Sequence, residues 1–81
     1  MGEGPMTRIV YTAHARQRMT LRNITDEMVR QTLEMPDEQG TGYRDRSVAY
    51  RRFPHGRIKV VYVEEPGQLV VITVMWEEDQ K

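Results

Sequence analysis

Thr12-Ala-His-Ala-Arg-Gln-Arg-Met-Thr-Leu-Arg-Asn-Ile-Thr-Asp-Glu-Met-Val-Arg-Gln-Thr-Leu-Glu-Met-Pro36 reads as two consecutive helices with a stop between them. Thr12 is a good N-cap for a first helix running from about Ala13 to Arg22. Asn23 suits the left-handed position that closes such a helix. A second helix begins at Thr25, with Asp26 and Glu27 in a first turn where the helix dipole favours negative charge. Ile24 before the cap and Val29 at the fourth helical position match a hydrophobic staple. Val29 and Leu33 continue the buried face, and Pro36 stops the helix after Met35. The stretch is therefore a helical hairpin with a very short connection.

Outward from the hairpin, the period becomes strand-like on both sides. Arg8-Ile-Val-Tyr11 is a short strand of β-branched and aromatic residues. Beyond Glu38, Gln39 to Gly42 reads as a loop and Tyr43-Arg-Asp45 as the opening of a strand. Ser47 to Phe53 is a clearer strand, ended by Pro54-His55-Gly56. Arg57 to Glu64 follows, then a type II turn at Glu65-Pro66-Gly67-Gln68. Leu69 to Trp76 is the most apolar strand. Short turns imply an antiparallel meander. The expected fold is α+β: a short N-terminal strand, then a two-helix hairpin packed on an antiparallel sheet of about four strands. Alternation assigns Ile58, Val60, Tyr62 and Val70, Ile72, Val74, Trp76 to the helix side. Arg57, Lys59, Val61, Val63 and Leu69, Val71, Thr73, Met75 go to the other, which is less polar than a plain solvent face.

Eighty-one residues make one domain near the lower size limit for a single core. We expect a loose leader at 1–6, a single domain at 7–77 and an acidic tail at 78–81. With no cysteine, neither disulfides nor thiolate metal sites are expected. No apolar run approaches the roughly 18 residues that cross a bilayer. The N-terminus is too short and polar for a signal peptide, so a cytoplasmic protein with no membrane partner is expected. Formal net charge is zero but uneven: residues 7–60 carry eleven basic groups against six acids, whereas 61–81 carry one against five. Ten arginines to two lysines favour planar, bidentate contacts with phosphate or carboxylate.

On the first helix His14, Arg18 and Arg22 form one polar stripe, with Ala15 and Met19 an apolar one beside it. His14 is a candidate general base; the alternative is a helix-start histidine that bonds backbone or packs on the sheet. Arg16 and Arg18 face apart, and one of them is expected to form a structural ion pair, with Asp26, Glu27 or a carboxylate on the sheet as partner. Tyr50 and Arg52 share one face of their strand, while Lys59 and Tyr62 fall on opposite faces of the next. Arg, Lys, Tyr and His together can cleave RNA without a metal. A base deprotonates the 2′-hydroxyl, cations stabilise the extra charge on phosphorus, and an acid protonates the leaving 5′-oxygen. The candidate catalytic set is His14, Arg18, Tyr50, Arg52, Lys59 and Tyr62. The alternative is cross-strand pairing of solvated charges, such as Arg52 with Glu64. His55 reads as an exposed turn residue and Trp76 as a packing residue. Two histidines on separate elements give no metal site, and no glycine-rich loop or nucleophile elbow suggests another cofactor.

His14-Ala-Arg-Gln-Arg-Met19, Ile24-Thr-Asp-Glu-Met-Val29, Pro36-Asp37, Ala49-Tyr-Arg-Arg-Phe53, Ile58-Lys-Val-Val-Tyr62 and Val70-Val-Ile-Thr-Val74 together resemble domain of unknown function family 4258. The resemblance covers about residues 8–77. Asn23 stands where that family commonly has glycine. The family is similar in fold to the RelE-like toxins, small α+β ribonucleases usually paired with an antitoxin. The resemblance thus implies a strand, two helices and an antiparallel sheet, with RNA and an antitoxin as expected partners. Three functional expectations follow. One is a metal-independent RNA-binding or endoribonuclease domain related to toxin–antitoxin systems. The second is a non-catalytic protein-interaction module, or a homodimer, with the same fold. The third is a small-molecule or regulatory binder.

Overall fold

The computed structural model describes residues 8–77; the leader expected at 1–6 and the tail at 78–81 lie outside them. Strand β1 (Arg8–Tyr11) leads into helices α1 (Ala13–Arg22) and α2 (Asp26–Glu34). Strands β2 (Glu38–Thr41), β3 (Ser47–Phe53), β4 (Gly56–Glu65) and β5 (Gln68–Glu77) follow. The sheet order is β1-β5-β4-β3-β2. Strands β2 to β5 form the expected four-stranded antiparallel part, and β1 joins its edge in parallel to β5, making the sheet mixed. The helical hairpin carries the chain from β1 at one edge to β2 at the other.

The helix ends follow their caps. Thr12 Oγ1 accepts from the Ala15 amide at 3.0 Å. Asn23 takes the left-handed conformation (φ 59°), and Thr25 caps α2 by accepting from the Met28 amide at 3.1 Å. One face of the sheet packs on these helices. Ala15, Met19, Ile24 and Val29 meet Ala49, Ile58, Val60, Tyr62, Val71 and Val74, with Leu33, Phe53 and Trp76 at the margin. The other face carries no helix, and on it Val48 is buried beside Gly42.

Three details differ from the sequence reading. Glu38–Thr41 is an edge strand rather than a loop: its ladder to β3 uses backbone groups, and all four residues are exposed. Tyr43-Arg-Asp45 is a 3₁₀ turn rather than a strand, with Arg44 and Asp45 at φ 60° and 64°. Third, β5 carries a bulge. Val61 pairs with Thr73 but Tyr62 pairs with Val71, so Ile72 is skipped and the alternation inverts. Val74 and Trp76 keep the helix side, but before the bulge Val71 and Leu69 take it in place of Ile72 and Val70. The bulge is tied to the start of α1: Thr12 donates from its amide to Val71 O (3.1 Å) and from Oγ1 to Ile72 O (3.0 Å).

Candidate functional site

Cross-strand pairing collects cations and an aromatic ring on the open face. Tyr50 stands opposite Lys59, and Arg52 opposite Arg57. Because side chains alternate along a strand, all four project from the face away from the helices. The Arg57 guanidinium lies 4.4 Å from the centre of the Tyr50 ring, and the Lys59 ammonium lies 6.0 Å from it. Both are within cation–π range. Arg57 is further fixed by Glu38 on β2 (2.5 Å) and Glu77 on β5 (3.7 Å). The Arg52 amide donates to Asp37 Oδ2 at 2.7 Å, which ties the strand backbone to the segment leaving α2. Lys59 has no carboxylate at ion-pair distance among the described residues. Across the β3–β4 ladder Arg52 stands opposite Arg57, whereas Glu64 lies towards the far end of β4.

The other candidates lie on the helix side. His14 is exposed on α1, one turn before the half-buried Arg18. The Arg18 Nε is buried without a hydrogen-bond partner among the described residues. Arg16 makes the expected ion pair, 2.9 Å from Asp26, and its guanidinium covers the Tyr11 ring at 4.2 Å. Tyr62 belongs to the core. Burial pushes its phenol above the ordinary value, and the nearby Glu64 charge adds to this, while hydrogen bonds with Ser47 and Gln39 oppose it. The structure therefore brings Tyr50, Arg52 and Lys59 together and sets His14, Arg18 and Tyr62 on the far side of the sheet from them.

Two features escaped sequence reading. Arg57 completes the open-face cluster, a role visible only once Arg52 and Arg57 are known to pair. Arg51, on the core side of β3, donates to Met35 O at 2.6 Å and so satisfies a carbonyl at the end of α2. There is also a hollow of about 470 Å³ at the α1–α2 corner, lined by Arg22, Asn23, Met28, His55 and Trp76. A second hollow of about 340 Å³ has the opposite character, with Glu34, Glu64 and Glu65 around Ile9, Leu33 and Leu69. Among the described residues there is no group of three or more His, Asp or Glu side chains placed to hold a metal ion. Nor is any helix among them long and apolar enough to cross a membrane.

Residues 11–76 match the family model described as Domain of unknown function (DUF4258). No curated protein and no solved structure matches the chain.

Proposed function

The chain belongs to the DUF4258 family, and for it we propose that the open sheet face binds single-stranded RNA, with Tyr50, Arg52 and Lys59 in contact with the strand. The observation that carries this reading is the Tyr50 ring set beside two cations on an uncovered sheet. Single strands are held by cationic grooves that follow the backbone and by aromatic rings on which bases stack. Arg57, already neutralised by Glu38 and Glu77, holds the Tyr50 ring in place. Lys59 supplies the charge that meets phosphate, and Arg52 stands on the same face of the sheet. In this reading the domain is a RelE-like relative, and an antitoxin would compete for the same face. Metal-independent cleavage there would use Lys59 and Arg52 to stabilise the charge on phosphorus and Tyr50 to move the proton. His14, Arg18 and Tyr62 would have no direct part in it.

The test is anisotropy of a labelled single-stranded RNA over a series of salt concentrations. Lys59→Ala should weaken binding and lower the log–log salt slope by about 0.7, the value for one phosphate contact on a single strand. Full-length RNA after long incubation would remove cleavage while leaving binding. No anisotropy change at low salt would remove the whole reading.

A second reading rests on the apolar half of the same face. Val61, Val63, Val70 and Met75 are half-buried there with no helix above them. Such a strip suits a second copy of the chain or a protein partner. Sedimentation showing a monomer at high concentration would remove the homodimer.

A further inference from the structure

The hollow at the α1–α2 corner pairs apolar walls with a guanidinium and an imidazole, and no carboxylate lines it. Trp76 forms its floor. The indole N–H donates to Arg22 O at 2.8 Å, which fixes the ring against the helical connection. From the other side it is backed by Gly56, where an added Cβ would stand only 3.3 Å from the indole Cε3. The ring is thus clamped in one orientation while remaining half-exposed to the hollow. Met28 adds a polarisable thioether, a group well suited to lying against aromatic rings. Around this apolar seat stand the Arg22 guanidinium, the His55 imidazole in the Pro54-His55-Gly56 turn, and the Asn23 amide. Neither Arg22 nor His55 has a carboxylate at ion-pair distance among the described residues.

We propose that this hollow is a nucleotide site, with the base against Trp76 and Met28 and the phosphate against Arg22 and His55. The chemistry selects a flat ring joined to an anion. Stacking on an indole accepts any base, and a guanidinium recognises phosphate in a bidentate manner. The volume of about 470 Å³ falls in the range of small-molecule sites. The second hollow, with its three glutamates, repels the same ligand. The nucleotide can be free or the end of an RNA strand. Both share this chemistry, and the site stands apart from the open face on the helix side of the sheet.

Trp76 is the single tryptophan of the chain, so its fluorescence reports on this hollow alone. AMP titrated into the full chain should quench it saturably. Adenosine, ribose 5-phosphate and inorganic phosphate should each bind at least about tenfold more weakly, because each lacks one half of the ligand. Arg22→Gln and His55→Ala replace exposed side chains and leave the Arg22 carbonyl to Trp76 intact, so both should fold with unchanged circular dichroism. Each should weaken AMP by several-fold, and together by about tenfold or more. Lys59→Ala should leave AMP binding unchanged, which separates this site from the open face. A 5′-phosphorylated oligoribonucleotide distinguishes the sources. Quenching at far lower concentration than AMP marks the end of a strand, and equal or weaker quenching marks a free nucleotide. The proposal is overturned if AMP does not quench, if ribose 5-phosphate or adenosine matches it, or if the double variant binds AMP as the parent does.

Discussion

Replacing Gly56 with alanine should cost more stability than the same change at Gly67 or Gly40, and two separable effects set the size. Gly56 adopts φ +148°, outside the region that residues with a Cβ occupy readily. Holding such a conformation costs about 1–3 kcal/mol. The new Cβ would also stand 3.3 Å from the Trp76 Cε3, and the indole cannot retreat freely because its N–H is bound to Arg22 O. Loosening that hydrogen bond adds about 1 kcal/mol. The expected loss is about 2–4 kcal/mol, a large share of the roughly 4–12 kcal/mol expected for a domain of this length. Urea unfolding followed by Trp76 fluorescence would show a midpoint lowered by about 2 M or more, given a slope near 1 kcal/mol/M for so small a protein. Gly67→Ala isolates the backbone effect, since φ is +78° and no atom lies within 4 Å of the added carbon. It should lose about 1 kcal/mol. Gly40→Ala has neither problem and should stay within about 0.5 kcal/mol of the parent. If Gly56→Ala loses no more than Gly67→Ala, the indole is not wedged against the turn. If it matches Gly40→Ala, the account of the backbone fails as well.

Thr12→Ala removes both the cap of α1 and the hydrogen bond to the β5 bulge, so thermal or urea unfolding should show a loss of about 1–2 kcal/mol. Thr12→Ser should recover most of it; no recovery would mean that the methyl group, and not the hydroxyl, is what matters. Tyr62 supplies a pH dependence. Its folded phenol sits above the ordinary value of 10.0, mainly through burial, so the folded chain holds that proton more tightly than the unfolded one. The stability this contributes is complete below 10.0 and is lost as pH rises through the folded value. Urea midpoints should therefore fall more steeply above that pH in the parent than in Tyr62→Phe, and parallel curves would refute the assignment. Arg16→Ala should change stability by less than about 1 kcal/mol, because both partners of its ion pair with Asp26 are more than half exposed. A larger loss on unfolding would show that the guanidinium over Tyr11 matters more than the ion pair.

What could be read from the chain before its structure divides along a physical line. The helical hairpin was legible because each of its boundaries depends on one local residue: Thr12 and Thr25 as caps, Asn23 in the left-handed position, Pro36 as the stop. Strands β3 to β5 were legible from composition. β2 was not, because Glu-Gln-Gly-Thr forms a strand only through the backbone partners that β3 offers. The bulge was equally hidden. No signal in Val70-Val-Ile-Thr-Val74 marks Ile72 as the skipped residue; the choice follows from where Thr12 must reach Val71 O and Ile72 O for α1 to begin. The candidate site broke along the same line. Tyr50, Arg52 and Lys59 came together because alternation and pairing are short-range rules, and one correct register places all three. Their distance from His14 depends on which sheet face the helices cover, and that face is chosen by burial of Ile58, Val60 and Val74, not by anything near His14. The hollow at Trp76 is farther still from local reading. Arg22, Met28, His55 and Trp76 meet there from two helices, a turn and the last strand, so no spacing in the sequence announces it. Residues read separately as an exposed turn histidine and a packing tryptophan acquire a shared chemistry only when the sheet and the hairpin close on one another.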